Sequence, residues 1–93
     1  ELLAQADTAC YAAKELGGRG IRVNCIAPGA IATDFAGGGV RDNPAINGFV
    51  ASMTALGRVG EADDIGGAVA AILSDGMAWT TGMRIEVSGG QGL

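Results

Sequence analysis

Two short segments of this chain alternate apolar and polar residues as β-strands do, and the long stretch between them is patterned as helices. In residues 21–27, Ile21, Val23 and Cys25 fall on one face and Arg22, Asn24 and Ile26 on the other. Near the end, Met83, Ile85 and Val87 alternate with Arg84 and Glu86. A strand, a long helical crossover and a second strand favour parallel pairing with a right-handed connection. The expectation is an α/β layer of two parallel strands with three to four helices, in a single small domain over residues 1–93. Parallel sheets normally have several strands and both faces covered. Two strands leave edges open.

The helical patterns are uneven in strength. Leu3, Ala6, Cys10 and Ala13 recur at spacings of three and four, which predicts an N-terminal helix over residues 1–16, stopped by Gly17 and Gly18. Residues 30–42 lose periodicity and pass through Gly37, Gly38 and Gly39, which predicts a mobile loop. Asn43 and Pro44 suit an N-cap followed by proline at the first helical position, ahead of the apolar stripe Ile46, Phe49, Val50 and Met53. After a turn over residues 57–60, Ile65, Ala68, Val69, Ile72 and Leu73 give the clearest amphipathic helix. Asp63 and Asp64 stand in its first turn, where the helix dipole favours negative charge.

Composition narrows the function classes. Seventeen glycines against four aromatic residues mean many breaks and few bulky anchors, so the core is expected to be marginal and to lean on a partner. A net charge of −4 argues against a nucleic-acid partner. No apolar run approaches the roughly 20 residues that span a bilayer, and no basic-then-apolar segment opens the sequence, so a cytoplasmic chain without membrane contact is expected. Histidine is absent, which removes every His-based general base, triad and metal ligand. Cys10 and Cys25 have neither the number nor the spacing of a disulfide framework or a zinc site, so no metal is expected.

The most informative point is Pro28-Gly29. A strand that ends in Pro-Gly turns sharply and presents main-chain donors at the carboxyl end of a parallel sheet, where open α/β sheets bind ligands. Thr33 adds a hydroxyl just past the turn. The same residues also suit a plain strand-ending turn.

Three motifs carry a resemblance. Residues 20–33, Gly-Ile-Arg-Val-Asn-Cys-Ile-Ala-Pro-Gly-Ala-Ile-Ala-Thr, resemble the sixth strand and following loop of classical short-chain dehydrogenase/reductases. The run from Leu56 to Ile65 resembles that family's entry into its last long helix. Thr81-Gly82 and then Val87-Ser88-Gly89-Gly90 resemble its closing strand and glycine tail. Together they cover residues 13–93. The resemblance implies part of a Rossmann-like layer and an NAD- or NADP-dependent oxidoreductase of the alcohol/carbonyl class. It also implies that Pro28, Gly29, Ile31 and Thr33 meet the nicotinamide end of the cofactor and that residues 34–42 close over substrate. In the family, the last helix and strand form a subunit interface, which implies a homodimer or larger homo-oligomer.

The resemblance also shows what this sequence lacks. The Gly-x-x-x-Gly-x-Gly fingerprint, the serine-bearing strand and the Tyr-x-x-x-Lys pair are not in it. Tyr11 and Lys14 are three apart rather than four, and stand too close to the strand at Ile21. By the family's spacing the lysine would fall near Leu2 and the tyrosine before Glu1. The catalytic residues are therefore unknown, with Tyr11, Lys14, Asp34 and Arg41 the only acid–base groups available to a new site. Residues 1–14, from Leu2-Leu3-Ala4 to Tyr11-Ala12-Ala13-Lys14, resemble instead the late helix of diguanylate cyclase (GGDEF) domains, which implies a chimeric junction near residues 13–16. A generic alanine-rich helix fits the same residues. Two functions stay open: an oxidoreductase-derived segment that is catalytically incomplete by itself, and a self-associating interaction module.

Overall fold

A computed structural model describes residues 10–93, so the expected helical face at Leu3 and Ala6 lies outside the described residues. Helix α1 is described over residues 10–16. The α-helix ends at Leu16, before Gly17-Gly18 as expected, and Gly17–Arg19 then tightens into a 3-10 turn whose left-handed closing residue is Gly20, with φ of 74°. The Gly20 N–H donates to the Gly17 carbonyl and the Ile21 N–H to the Leu16 carbonyl, 3.0 and 3.3 Å. This 6→1 and 5→2 pair is a Schellman stop, which needs its left-handed residue one step before the reversing chain.

Strand β1 is Cys25–Pro28 and strand β2 is Arg84–Val87, paired in one two-stranded sheet. The Cys25 N–H donates to the Met83 carbonyl and the Gly29 N–H to the Val87 carbonyl, so both strands advance together and are parallel. The first strand was expected over residues 21–27. It starts later because residues 22–24 are joined to residues 80–83 largely through side chains, and it runs one residue further, through Pro28. Residues 25 and 29 aim their N–H groups at β2, so the alternate position 28 faces the other edge. A missing donor there costs the ladder nothing. Among the described residues, the remaining α-helices are α2 (Gly39–Asp42), α3 (Pro44–Ser52) and α4 (Ala62–Ile72).

The chain divides into two compact units. One comprises the described residues up to Ala27 together with Val69–Glu86. Its buried apolar residues are Ala13, Ala27 and Ile72. The Arg22 Nη1 donates to the Ile72 carbonyl at 3.0 Å and the Thr80 carbonyl at 3.3 Å, placing a cation at the end of α4 where orphan carbonyls collect. Asn24 donates through Nδ2 to the Thr80 carbonyl and accepts at Oδ1 from the Met83 N–H, both 3.1 Å. Arg22, Asn24 and Ile26 share one face, as their alternation required, and with Val69, Ile72 and Leu73 they line an open groove of about 240 Å³.

The second unit comprises Pro28–Ala68 and Val87–Leu93. The expected N-cap is present: the Asn43 side chain accepts from the Ala45 and Ile46 N–H groups at 3.0 and 3.3 Å. The expected loop over 30–42 holds through residue 34, without helix or strand, and differs beyond it. Phe35–Gly38 forms a 3-10 turn that runs into α2, because glycines accept the left-handed bend and Arg41 ties its two ends. Val59 and Thr54 are buried here, while Ile46, Phe49, Met53 and Leu56 remain exposed. The Thr54 hydroxyl is satisfied by the Val50 carbonyl at 2.7 Å, so its burial carries no unpaired polar atom.

Candidate functional site

The second unit contains a cleft of about 170 Å³ where the chain leaves β1. Gly29 opens it. Its N–H is committed to the Val87 carbonyl, and a Cβ at this position would lie 2.8 Å from the Ser88 Cβ and 2.9 Å from the Ser88 Cα. Only glycine lets the two segments approach this closely. The next N–H, of Ala30, donates to the Gln91 Oε1 at 2.9 Å. Ile31 then bridges in parallel with Gly60, through Gly60 N–H to the Ala30 carbonyl and Ala32 N–H to the Gly60 carbonyl, 3.0 and 2.8 Å. The Thr33 N–H folds back to the Ile31 carbonyl at 2.9 Å.

The sequence predicted a turn rich in available main-chain donors. The structure corrects this, because the donors of Gly29, Ala30, Ala32 and Thr33 are all used within the chain. The Ile31 N–H is the one in this run without a partner among the described residues. Gly29 and Ile31 line the cleft, together with Ala30, Gly60, Ser88 and Gly89. Pro28 and Thr33 flank it in the chain and are not part of its lining. The Thr33 Oγ1 accepts from the Phe35 N–H at 3.3 Å, which leaves its own proton free to donate.

Arg58 and Asp64 form the charged wall. The guanidinium donates through Nη1 to Oδ2 at 2.7 Å and through Nη2 to Oδ1 at 3.1 Å, a two-pronged pair. Asp64 Oδ2 also accepts from the Glu61 N–H at 2.7 Å, the return half of a capping box at the start of α4. The Arg58 hydrogen bonds, and then the Glu61 N–H, lower the Asp64 pKa from 3.8 to about 2. A depressed carboxyl stabilises the fold above its unfolded value and loses that contribution as pH falls through the folded one. Asp64→Asn is therefore expected to lower the thermal midpoint at neutral pH. The difference should shrink below about pH 4 and vanish only once the pH is well below the folded value of about 2, as melting curves of both proteins across this range would show.

Sequence reasoning missed Gln91, Gly60 and the Arg58–Asp64 pair as parts of this site. Gln91 acts across a separation of 61 residues, which no local pattern reveals. Of the groups open to acid–base work, Asp34 and Arg41 are brought together as an ion pair, and the Arg41 pKa is raised by its hydrogen bonds to Asp42 first and then to Asp34, which removes it as a base. Tyr11 is 76% exposed on α1 and does not line the cleft. Among the described residues, no group of three or more Cys, Asp or Glu side chains could hold a metal ion.

The family model described as enoyl-(acyl carrier protein) reductase matches residues 4–91. The chain belongs to the short-chain dehydrogenase/reductases. The match starts at residue 4, so it reaches past residue 13 into the segment with the cyclase-like pattern. Solved relatives agree, and the fold is a partial Rossmann-like layer. The promiscuous reductase LugOII, which catalyses keto-reduction at C1 in lugdunomycin biosynthesis, is 40% identical with a TM-score of 0.80, covering 91% of this chain and 32% of its own. A short-chain type dehydrogenase/reductase from Mycobacterium ulcerans is 36% identical with a TM-score of 0.84, covering 95% and 32%. A blue fluorescent protein from a metagenomic library, in complex with NADPH, is 32% identical with a TM-score of 0.81, covering 94% and 34%. This dehydrogenase/reductase chain thus spans about a third of the length of the solved relatives it matches. No protein with a curated description matches it. Among the described residues, no helix is long and apolar enough to cross a membrane.

Proposed function

We propose that this chain supplies the nicotinamide-side turn and the substrate-closing segment of an NAD- or NADP-dependent oxidoreductase acting on an alcohol or carbonyl. By itself it does not complete a catalytic site. The observation that carries this reading is the Ile31 N–H, the one main-chain donor of the turn without a partner among the described residues. The turn satisfies its own backbone at Gly29, Ala30, Ala32 and Thr33, and leaves one N–H beside a cleft and one hydroxyl proton two residues later. An N–H and an O–H set two residues apart suit a planar amide such as the nicotinamide carboxamide, which accepts through its oxygen. Pro28 would then flank the ring, and Gly29 would keep the approach clear. When bound, the nicotinamide supplies hydride transfer; the chain's own part is to hold and orient it. The family match over residues 4–91 supports reading α1 as the dehydrogenase's own helix, with a cyclase-like origin of residues 1–14 as the alternative.

Titration with reduced nicotinamide mononucleotide tests this reading. Saturable amide shifts are expected at Ile31, Ala32 and Thr33. Thr33→Val should weaken binding about fivefold, the equivalent of one ordinary hydrogen bond of about 1 kcal/mol. Tyr11→Phe should leave binding unchanged. Shifts that avoid residues 31–33 would overturn the assignment.

Self-association is the second reading, and the exposed apolar residues favour it. Val69, Leu73 and Trp79 in the first unit, and Phe49 and Leu56 in the second, are open to solvent, Trp79 fully so. Exposed apolar surface of this kind suits a covering partner, and we propose a second copy meeting it at α4 and β2. Sedimentation at micromolar concentration should show a dimer or larger species. Val69→Glu should dissociate it, since a carboxylate buried without a partner is costly. A folded wild-type monomer would rule this out.

A further inference from the structure

We propose that Arg41 is an electrostatic latch that holds the bend over residues 34–38 shut and that added salt releases. Ala36, Gly37 and Gly38 are left-handed in succession, with φ of 53°, 75° and 78°. The glycines adopt this region freely, whereas the Cβ of Ala36 crowds the following carbonyl oxygen, so the bend is disfavoured in isolation. Something must hold it. The Arg41 guanidinium reaches both ends: Nη1 donates to the Asp34 Oδ1 before the bend, while Nε and Nη2 donate to the two Asp42 oxygens beyond it, at 2.7 Å each. The ion pair lies over Gly38, where a Cβ would meet the Arg41 Nη2 at 2.6 Å and the Asp42 Oδ2 at 2.9 Å.

The remaining ties are of another kind. The Asn47 Nδ2 donates to the Val40 carbonyl at 2.9 Å, and the Asn43 N–H to the Gly39 carbonyl at 3.0 Å, so α2 stays on α3 whatever the latch does. Release therefore frees residues 34–38 rather than the helix behind them. The latch side chains are well exposed, Asp34 at 94%, so dissolved ions screen their attraction far more than they affect the neutral Asn47 bond. Phe35 moves with the bend, and its N–H is the donor to the Thr33 hydroxyl oxygen. Opening thus also releases Thr33, which matters for function only if residue 33 and the 34–42 segment serve the roles proposed above.

Amide hydrogen exchange of the unliganded chain tests the latch without any cofactor, so its failure and the failure of the nicotinamide reading are separate results. Exchange across residues 35–39 should be about fivefold faster near 1 M sodium chloride than near 20 mM, with the α4 amides of residues 65–68 unchanged. Arg41→Gln should reach the fast rate at low salt and lose the salt response. Ala36→Gly, which removes the crowding, should slow exchange in the same residues. Unchanged exchange in Arg41→Gln would overturn the latch. So would equal acceleration at residues 65–68, because Arg41 would then support the whole unit rather than one bend.

Discussion

Gly29→Ala is expected to destabilise the protein by about 3 kcal/mol, at the upper end of the cost of overpacking a close contact, and to lower the thermal midpoint by roughly 12 °C or more. The added methyl would lie 2.8 Å from the Gln91 Oε1 and from the Ser88 Cβ, and 2.9 Å from the Ser88 Cα. The amide end of Gln91 can swing aside, at the loss of its bond to the Ala30 N–H. A backbone atom cannot. Ser88 follows directly on β2, so moving its Cα disturbs the Gly29–Val87 hydrogen bond that closes the ladder. Gly60→Ala is the matched control. Its new Cβ would meet only the far end of the Ile31 side chain at short range, 2.5 Å from Cδ1, with the Ala30 carbonyl oxygen at an ordinary 3.5 Å. A rotamer change relieves that contact, so a loss of no more than about 1 kcal/mol is expected. Unfolding of both variants, followed by circular dichroism, separates the two. Equal losses would mean that backbone proximity at Ser88 is not what requires glycine.

Asn24→Leu should cost about 2 kcal/mol, some 8–16 °C in a domain of this size. Leucine keeps the volume of the side chain and removes both of its hydrogen bonds, to the Thr80 carbonyl and from the Met83 N–H. The Thr80 carbonyl retains Arg22 at 3.3 Å, whereas the Met83 N–H loses its partner. Asn24→Asp preserves the acceptor for Met83 and loses only the donor, so it should fall between wild type and leucine. If leucine and aspartate were equally damaging, the donor to Thr80 would account for the whole effect.

Both predictions concern the segment from Ile21 to Thr33, and this stretch shows how far local pattern reaches. Its alternation was sufficient to set Arg22, Asn24 and Ile26 on one face, and the structure lines one groove with them. Pattern alone could not find where pairing begins. That depends on residues 80–83, where Gly82 is left-handed and the backbone meets Asn24 through its side chain before the ladder starts at Cys25. The left-handed residue that closes the helix end was hidden for a similar reason. Gly17, Gly18 and Gly20 look alike in sequence, and only the closing bonds to Leu16 and Gly17 select Gly20.

What the sequence by itself determined is whatever repeats or caps over a few residues: two strands, the α4 stripe and the Asn43 cap. These follow from backbone period and local hydrogen bonding, which neighbours in the chain are enough to establish. Only the tertiary structure decided which donors of the turn remain available. That depends on the Val87 carbonyl, the Gln91 side chain and Gly60, all distant in sequence, which consume the N–H groups on either side of Ile31. It likewise decided that residues 35–42 form a 3-10 turn and a short helix where the sequence shows no periodicity. The pairing of Arg41 with Asp34, seven residues away, is available only once the chain has bent through its left-handed residues, and no periodicity encodes that bend.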